Sequence, residues 1–163
     1  MGGMFFQIPE RENDEFSQYL DIPNANCYQF ALRLKIPVTE RLLPGFTCGK
    51  TQEYYSDEEL IKSVFLDLKA LGLSFRECTN ETHIENPSSW KIAVMNCDLG
   101  PRYDFHFLRQ SRVNGSHWIH KYPNSQLPDI VDITGRIITD PATAKYPFRY
   151  HLVKYLMVWQ NPL

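Results

Sequence analysis

The stretch "NANCYQFALRLKIP", Asn24 to Pro37, sets Cys27 directly behind two asparagines that favour the N-cap of a helix. Much further along, "DFHFLRQSRVNGSHWIHKY" carries His106 and His120 on two β-like runs. A thiol in the first turn of a helix sees unsatisfied backbone N–H groups and the positive end of the helix dipole, which favour thiolate. The same N–H groups, that of the Cys27 backbone first, can hold an oxyanion formed by attack on a carbonyl. Such attack needs a base, usually a histidine, and a third polar group to orient it. His106 is the candidate base and His120 the candidate orienting residue. Asp132 is the alternative orienting group, with Asp140 as its competitor.

The remaining thiols and imidazoles lack that context. Cys48, Cys78 and Cys97 read as structural thiols, and His83 and His151 as ordinary surface or core residues. A metal site built on His106, His117 and His120 fails on geometry, because strand positions 117 and 120 point to opposite faces. The residues ask for no metal and no cofactor. The four cysteines form no CxxC pair, which suits reduced thiols better than a disulfide framework.

The elements that must position these groups can be read from periodicity. Asn24 or Asn26 caps a first helix in which Cys27, Phe30, Ala31 and Leu34 recur at helical spacing, and Pro37 stops it. A second helix starts at the capping box of Ser56 and Glu59, lines one face with Leu60, Val64, Leu68 and Leu71, and closes at Gly72. The period then changes to that of strands at "LSFREC", "WKIAVMNC", "YDFHFLRQ", "HWIHKY", "DIVDI" and "FRYHLVKYLMVW". Asn114-Gly115 is a hairpin signal that makes the third and fourth of these antiparallel neighbours. On the third, Tyr103, Phe105, Phe107 and Arg109 share one face while Asp104, His106 and Leu108 share the other; on the fourth, Trp118 and His120 share a face. Helices in front of an antiparallel sheet make an α+β domain.

Length and charge set the outer limits. The 163 residues suit a single domain, residues 1–163, with 1–23 as an acidic lead-in. A formal charge of −2 supplies none of the bulk attraction that nucleic acid or an anionic bilayer requires. No apolar run approaches the roughly 18 residues of a membrane span, and the start lacks the pattern of a secretory signal. The expected location is cytoplasmic, or secreted without a cleaved signal peptide.

The order of parts resembles the papain-like superfamily, particularly its NlpC/P60 and CHAP branches. There a cysteine at a helix N-terminus comes early, followed by a strand histidine and, one hairpin later, a polar residue that is often a second histidine. More narrowly, "NCYQFAL", "LPG", "DFHFLRQ", "WIHK" and "VDITGRIITDP", over residues 24 to 141, resemble a group of uncharacterised bacterial and phage-associated proteins with NCYxYAL and HxxRQ motifs. The resemblance implies a papain-like fold with Cys27 as nucleophile, His106 as base and His120 as orienting residue. Asn26 before the cysteine and Tyr28-Gln29 after it depart from the Asp and Ser-Gly usual in NlpC/P60 proteins.

The expected function is a cysteine-dependent amide hydrolase or acyl transferase of peptidase or amidase type. Its substrate would be a peptide, a protein or a peptidoglycan-like amide, with no nucleic acid and no membrane span involved. The alternatives are a catalytically inactive papain-like module that binds a protein as an effector, and a metal site.

Overall fold

The computed structural model describes residues 25–34, 41–50, 55–84, 86–97, 105–111, 115, 117–121 and 128–161. The lead-in, Pro37, Tyr54, Tyr103, Asp104 and Asn114 lie outside these. The protein is an α+β structure with few helices and one five-stranded antiparallel sheet. The helices are α1 (Cys27–Ala31) and α2 (Asp57–Ala70), with a 3-10 turn at Phe46–Cys48 between them. The strands are β1 (Leu73–Cys78), β2 (Trp90–Cys97), β3 (His106–Gln110), β4 (Trp118–Ile119) and β5 (Tyr150–Gln160), in spatial order β1-β5-β2-β3-β4. No helix among the described residues is long and apolar enough to cross a membrane.

Both helices begin where local chemistry dictates. Asn26 caps α1 by accepting the Gln29 N–H on Oδ1 at 2.9 Å. The α2 capping box closes through Glu59 N–H to Ser56 Oγ at 3.1 Å and Ser56 N–H to Glu59 Oε1 at 3.4 Å, with acids filling the first turn. The first helix stops earlier than its spacing suggests, at Ala31. Arg33 takes a left-handed φ of 59°, its N–H donates to Phe30 O at 3.1 Å, and Leu34 N–H reaches Gln29 O at 3.1 Å. That is a Schellman closure with arginine where glycine is usual. The strained backbone costs about 1 kcal/mol, and the Arg33 guanidinium stacked 4.9 Å over Trp90 offsets part of it.

Strand alternation divides the interior into two layers. Ile92, Val94, Phe107, Leu156 and Val158 face α1 and α2, joined by Phe105 and by Leu60, Val64 and Leu68 from α2. Ala93, Met95, Leu108 and Trp118 face the other way, under Ile138 and Tyr146 and beside Tyr150 and Leu152. The register pairs Met95 with His106 and Ala93 with Leu108, which puts His106 in this second layer. A bulge at Val153 shifts the β2–β5 register, so Lys154 pairs with Val94 but Leu152 with Met95. β3 and β4 pair antiparallel as expected, with Arg109 opposite Ile119 and Ser111 N–H bonded to His117 O at 2.8 Å.

The expected strand "DIVDI" is reduced to single bridges, His120–Asp129 and Val131–Ile137. Asp132 draws the chain into a loop instead. Its carboxylate accepts the N–H of Thr134 at 2.8 Å, the Thr134 hydroxyl at 2.6 Å and the Lys145 N–H at 3.0 Å.

One buried carboxylate ties the front half together. Asp67 on α2 is fully buried and accepts the Tyr28 hydroxyl at 2.6 Å, the Gly45 N–H at 2.7 Å, and the Thr47 N–H and hydroxyl at 3.1 and 2.5 Å. Burial, reinforced by Asp67, pushes the Tyr28 hydroxyl well above its ordinary pKa and keeps it a donor. Asp67→Ala strands these donors in the core and is expected to cost about 3–5 kcal/mol in urea unfolding. Tyr28→Phe removes one donor and is expected to cost about 1–2 kcal/mol. Similar losses from the two variants would show that the Gly45 and Thr47 contacts add nothing.

Candidate active site

Alternation along β3 and β4 turns His106 and His120 toward each other in the second layer, where both are buried. His106 Nε2 lies 2.9 Å from His120 Nδ1, and His120 Nε2 lies 2.8 Å from Val131 O. These contacts determine the tautomers. A carbonyl only accepts, so His120 carries its proton on Nε2 and offers a lone pair at Nδ1. His106 must then donate from Nε2, which leaves the lone pair of the neutral ring on Nδ1. A further proton on His106 Nδ1 disturbs neither bond, whereas one on His120 Nδ1 breaks the contact between the rings.

Aromatic rings wall this dyad. Tyr150 stacks on His106 at 5.3 Å between centroids, and Tyr146 meets His106 edge-on at 5.5 Å. Burial, and secondly the neighbouring His120, pushes the His106 pKa well below 6.5. Burial also lowers His120, against the opposing pull of the Val131 carbonyl and of Asp129 and Asp132. Both rings are therefore neutral bases at neutral pH.

The orienting contact to His120 Nε2 comes from a backbone carbonyl, while the side chain of the next residue, Asp132, organises the loop. The Thr134 hydroxyl and the Lys145 N–H hold the Asp132 carboxyl well below the usual carboxylate range. Asp140 caps a turn through the Ala142 N–H at 3.0 Å and takes the Tyr155 hydroxyl at 3.2 Å. Trp90 is core, its indole N–H bonded to Ala31 O at 2.9 Å.

Cys27 occupies the first position of α1, as expected, and is 3% exposed. The helix lies alongside β3: Tyr28 packs on Phe105 and Phe107, and Arg109 donates to Phe30 O at 2.9 Å with its guanidinium 4.1 Å over the Phe30 ring. The thiol thus joins the layer on one side of β3, and the two imidazoles belong to the other. Cys27 and His106 share the starting end of that strand but reach it from opposite faces. Two half-buried thiols, Cys78 and Cys97, share a face with the imidazoles, and Cys97 is paired in register with Tyr150, which stacks on His106. No group of three or more His, Cys, Asp or Glu side chains among the described residues is arranged to hold a metal.

Several members of the site escaped sequence reasoning. A backbone carbonyl such as that of Val131 has no sequence signature. Tyr150 and Cys97 were accessible in principle, since alternation on β2 and β5 puts them on the His106 face once the register is known. Comparison with protein-family models, with curated proteins and with solved structures gives no match for this chain.

The histidine pair makes a pH prediction. Both folded-state pKa values lie below the ordinary 6.5, so the folded form binds fewer protons than the unfolded chain. The stabilisation from keeping the rings neutral is complete above about pH 6.5 and declines as pH falls toward the folded-state values. The wild-type urea midpoint is expected to drop between pH 7.5 and 5, above the range where Asp57 and Asp132 titrate, and His106→Gln is expected to flatten that drop. Parallel curves for the two proteins would show that His106 carries no depressed pKa.

Proposed function

We propose that the protein is a thiol-dependent amide hydrolase or acyl transferase of papain-like type, with Cys27 as nucleophile and His106 as base. The observation that carries this reading is the relay from His106 Nε2 to His120 Nδ1 and from His120 Nε2 to Val131 O, which leaves His106 Nδ1 to take a proton. Cys27 stands at the same end of β3, at the start of a helix whose cap takes the Gln29 N–H.

Sγ of Cys27 gives its proton to His106 Nδ1 and attacks the substrate carbonyl carbon, and the Cys27 N–H holds the oxygen. The tetrahedral species collapses to a thioester as the C–N bond breaks, and the departing amine takes the proton back from His106. Water or a second amine then attacks the thioester carbonyl, again losing its proton to His106, and the thiol is released. Water makes the protein a hydrolase and an amine makes it a transferase. In either case the substrate's approach must bring Sγ and Nδ1 together around the start of β3.

The burial of Cys27 favours a second reading, a papain-like module without activity that binds a protein partner. p-Nitrophenyl acetate separates the two. On the first reading native Cys27 is acetylated, peptide mass spectrometry finds the acetyl group there, and His106→Ala slows the reaction by about 10²-fold or more. Acetylation of Cys27 only after unfolding would favour the binding module. Acetylation of Cys97 that depends on His106 would move the nucleophile to the other face of the sheet.

A further inference from the structure

A thiolate at neutral pH needs a nearby positive charge, and His106, driven neutral by burial, does not provide one at rest. The side of β3 that holds Cys27 contains a different cation. Lys121 follows His120 directly, so alternation sends its side chain to the opposite face, toward α1. It is fully buried, and its Nζ donates to the carbonyl of Ala25, two residues ahead of Cys27 and next to the capping Asn26. Ala25 and Phe30 pack there with Ile119 from β4 and Ile130.

We infer that Lys121 is the positioning residue for Cys27: its ammonium holds the chain entering α1 through Ala25 O and stabilises the Cys27 thiolate. This rests on the reading of Cys27 as nucleophile. A fully buried lysine is rarely retained without a use for its charge. The Ala25 carbonyl takes one of its three donors and offsets part of the desolvation cost. Burial lowers the Lys121 pKa, and the charge of Cys27 opposes that shift. The other charged groups around α1 have contacts of their own: Arg109 is bonded to Phe30 O, Arg33 lies over Trp90, Arg41 lies over Phe105, and Asp67 accepts from Tyr28, Gly45 and Thr47. His106, His120, Asp129 and Asp132 face the other layer or its covering loop.

The assignment divides labour between neighbouring residues of β4. His120 orients the base on one face, and Lys121 prepares the nucleophile on the other. The charge on Lys121 favours the thiolate that forms as the Sγ proton passes to His106 Nδ1, and that proton is the one the departing amine takes.

The test is the ultraviolet thiolate titration of Cys27, taken as the difference between the protein and its Cys27→Ala variant. The expected inflection lies below the free-thiol value near 8.5. Lys121→Gln, which keeps a donor for Ala25 O but removes the charge, is expected to raise it by about one pH unit, a tenfold loss of thiolate at neutral pH. Lys121→Arg is expected to leave it in place. An inflection that ignores Lys121→Gln overturns the assignment and reduces Lys121 to a structural clamp. If Lys121→Gln does not fold, the reciprocal measurement decides. The NMR titration of Lys121 Cε is expected to move to lower pH in Cys27→Ala, and an unmoved titration refutes the coupling. The acetylation that depends on His106 is a separate readout, so either assignment can fail without the other.

Discussion

A fully buried carboxylate with four protein donors is a demanding thing to place in a core, and the front half of this protein is arranged around one. Asp67 draws a tyrosine hydroxyl from α1 and two backbone amides and a hydroxyl from the loop before α2 onto a single helical residue. None of those donors could be buried without it. Because Tyr28 follows Cys27 directly, the bond that satisfies Asp67 also sets how α1 lies across Phe105 and Phe107, and so how far the thiol sits from the start of β3. A short helix with a strained cap has little stability of its own. Its position is determined by what it touches.

The second constraint is the sheet's alternation, which sorts chemistry by parity. Odd positions of β3 carry Phe107 and Arg109, which seat α1; even positions carry His106 and Leu108, which meet the loop and Tyr150. On β4 the same rule sends His120 to His106 and Lys121 to the helix. The loop from 128 to 146 covers the imidazole layer because Asp132 gathers its amides, which in turn carries Val131 O to His120. A carboxylate that does not touch the dyad therefore helps to set its tautomers.

What the sequence conveyed and what it withheld divide along physical lines. Capping residues and hydrophobic period act over a few residues, so α2 with its Ser56–Glu59 box and the strands β1 and β2 are readable. The end of α1 was not, because the stop is a backbone geometry at Arg33 that depends on Trp90, far along the chain. "DIVDI" alternates like a strand, yet the local pull of Asp132 bends the chain after the bridges of Asp129 to His120 and of Val131 to Ile137. The two histidines could be placed on one face from their spacing and the hairpin turn. That Cys27 approaches β3 from the opposite face depends on which side of the sheet a helix packs, and nothing local in the sequence encodes it.

That arrangement sharpens the chemistry the site must perform. In a thiol enzyme whose base is already an imidazolium at rest, the cation that stabilises the thiolate is also the acid that protonates the leaving group. Here burial keeps both imidazoles neutral, so one residue does not do both jobs before substrate binds. On the proposed reading these jobs are divided: Lys121 would supply a fixed charge on the helix side, and His106 would take the proton of each incoming nucleophile at Nδ1. The strand that carries the orienting histidine then carries the charge as well, because adjacent residues of β4 point to opposite faces of the same sheet.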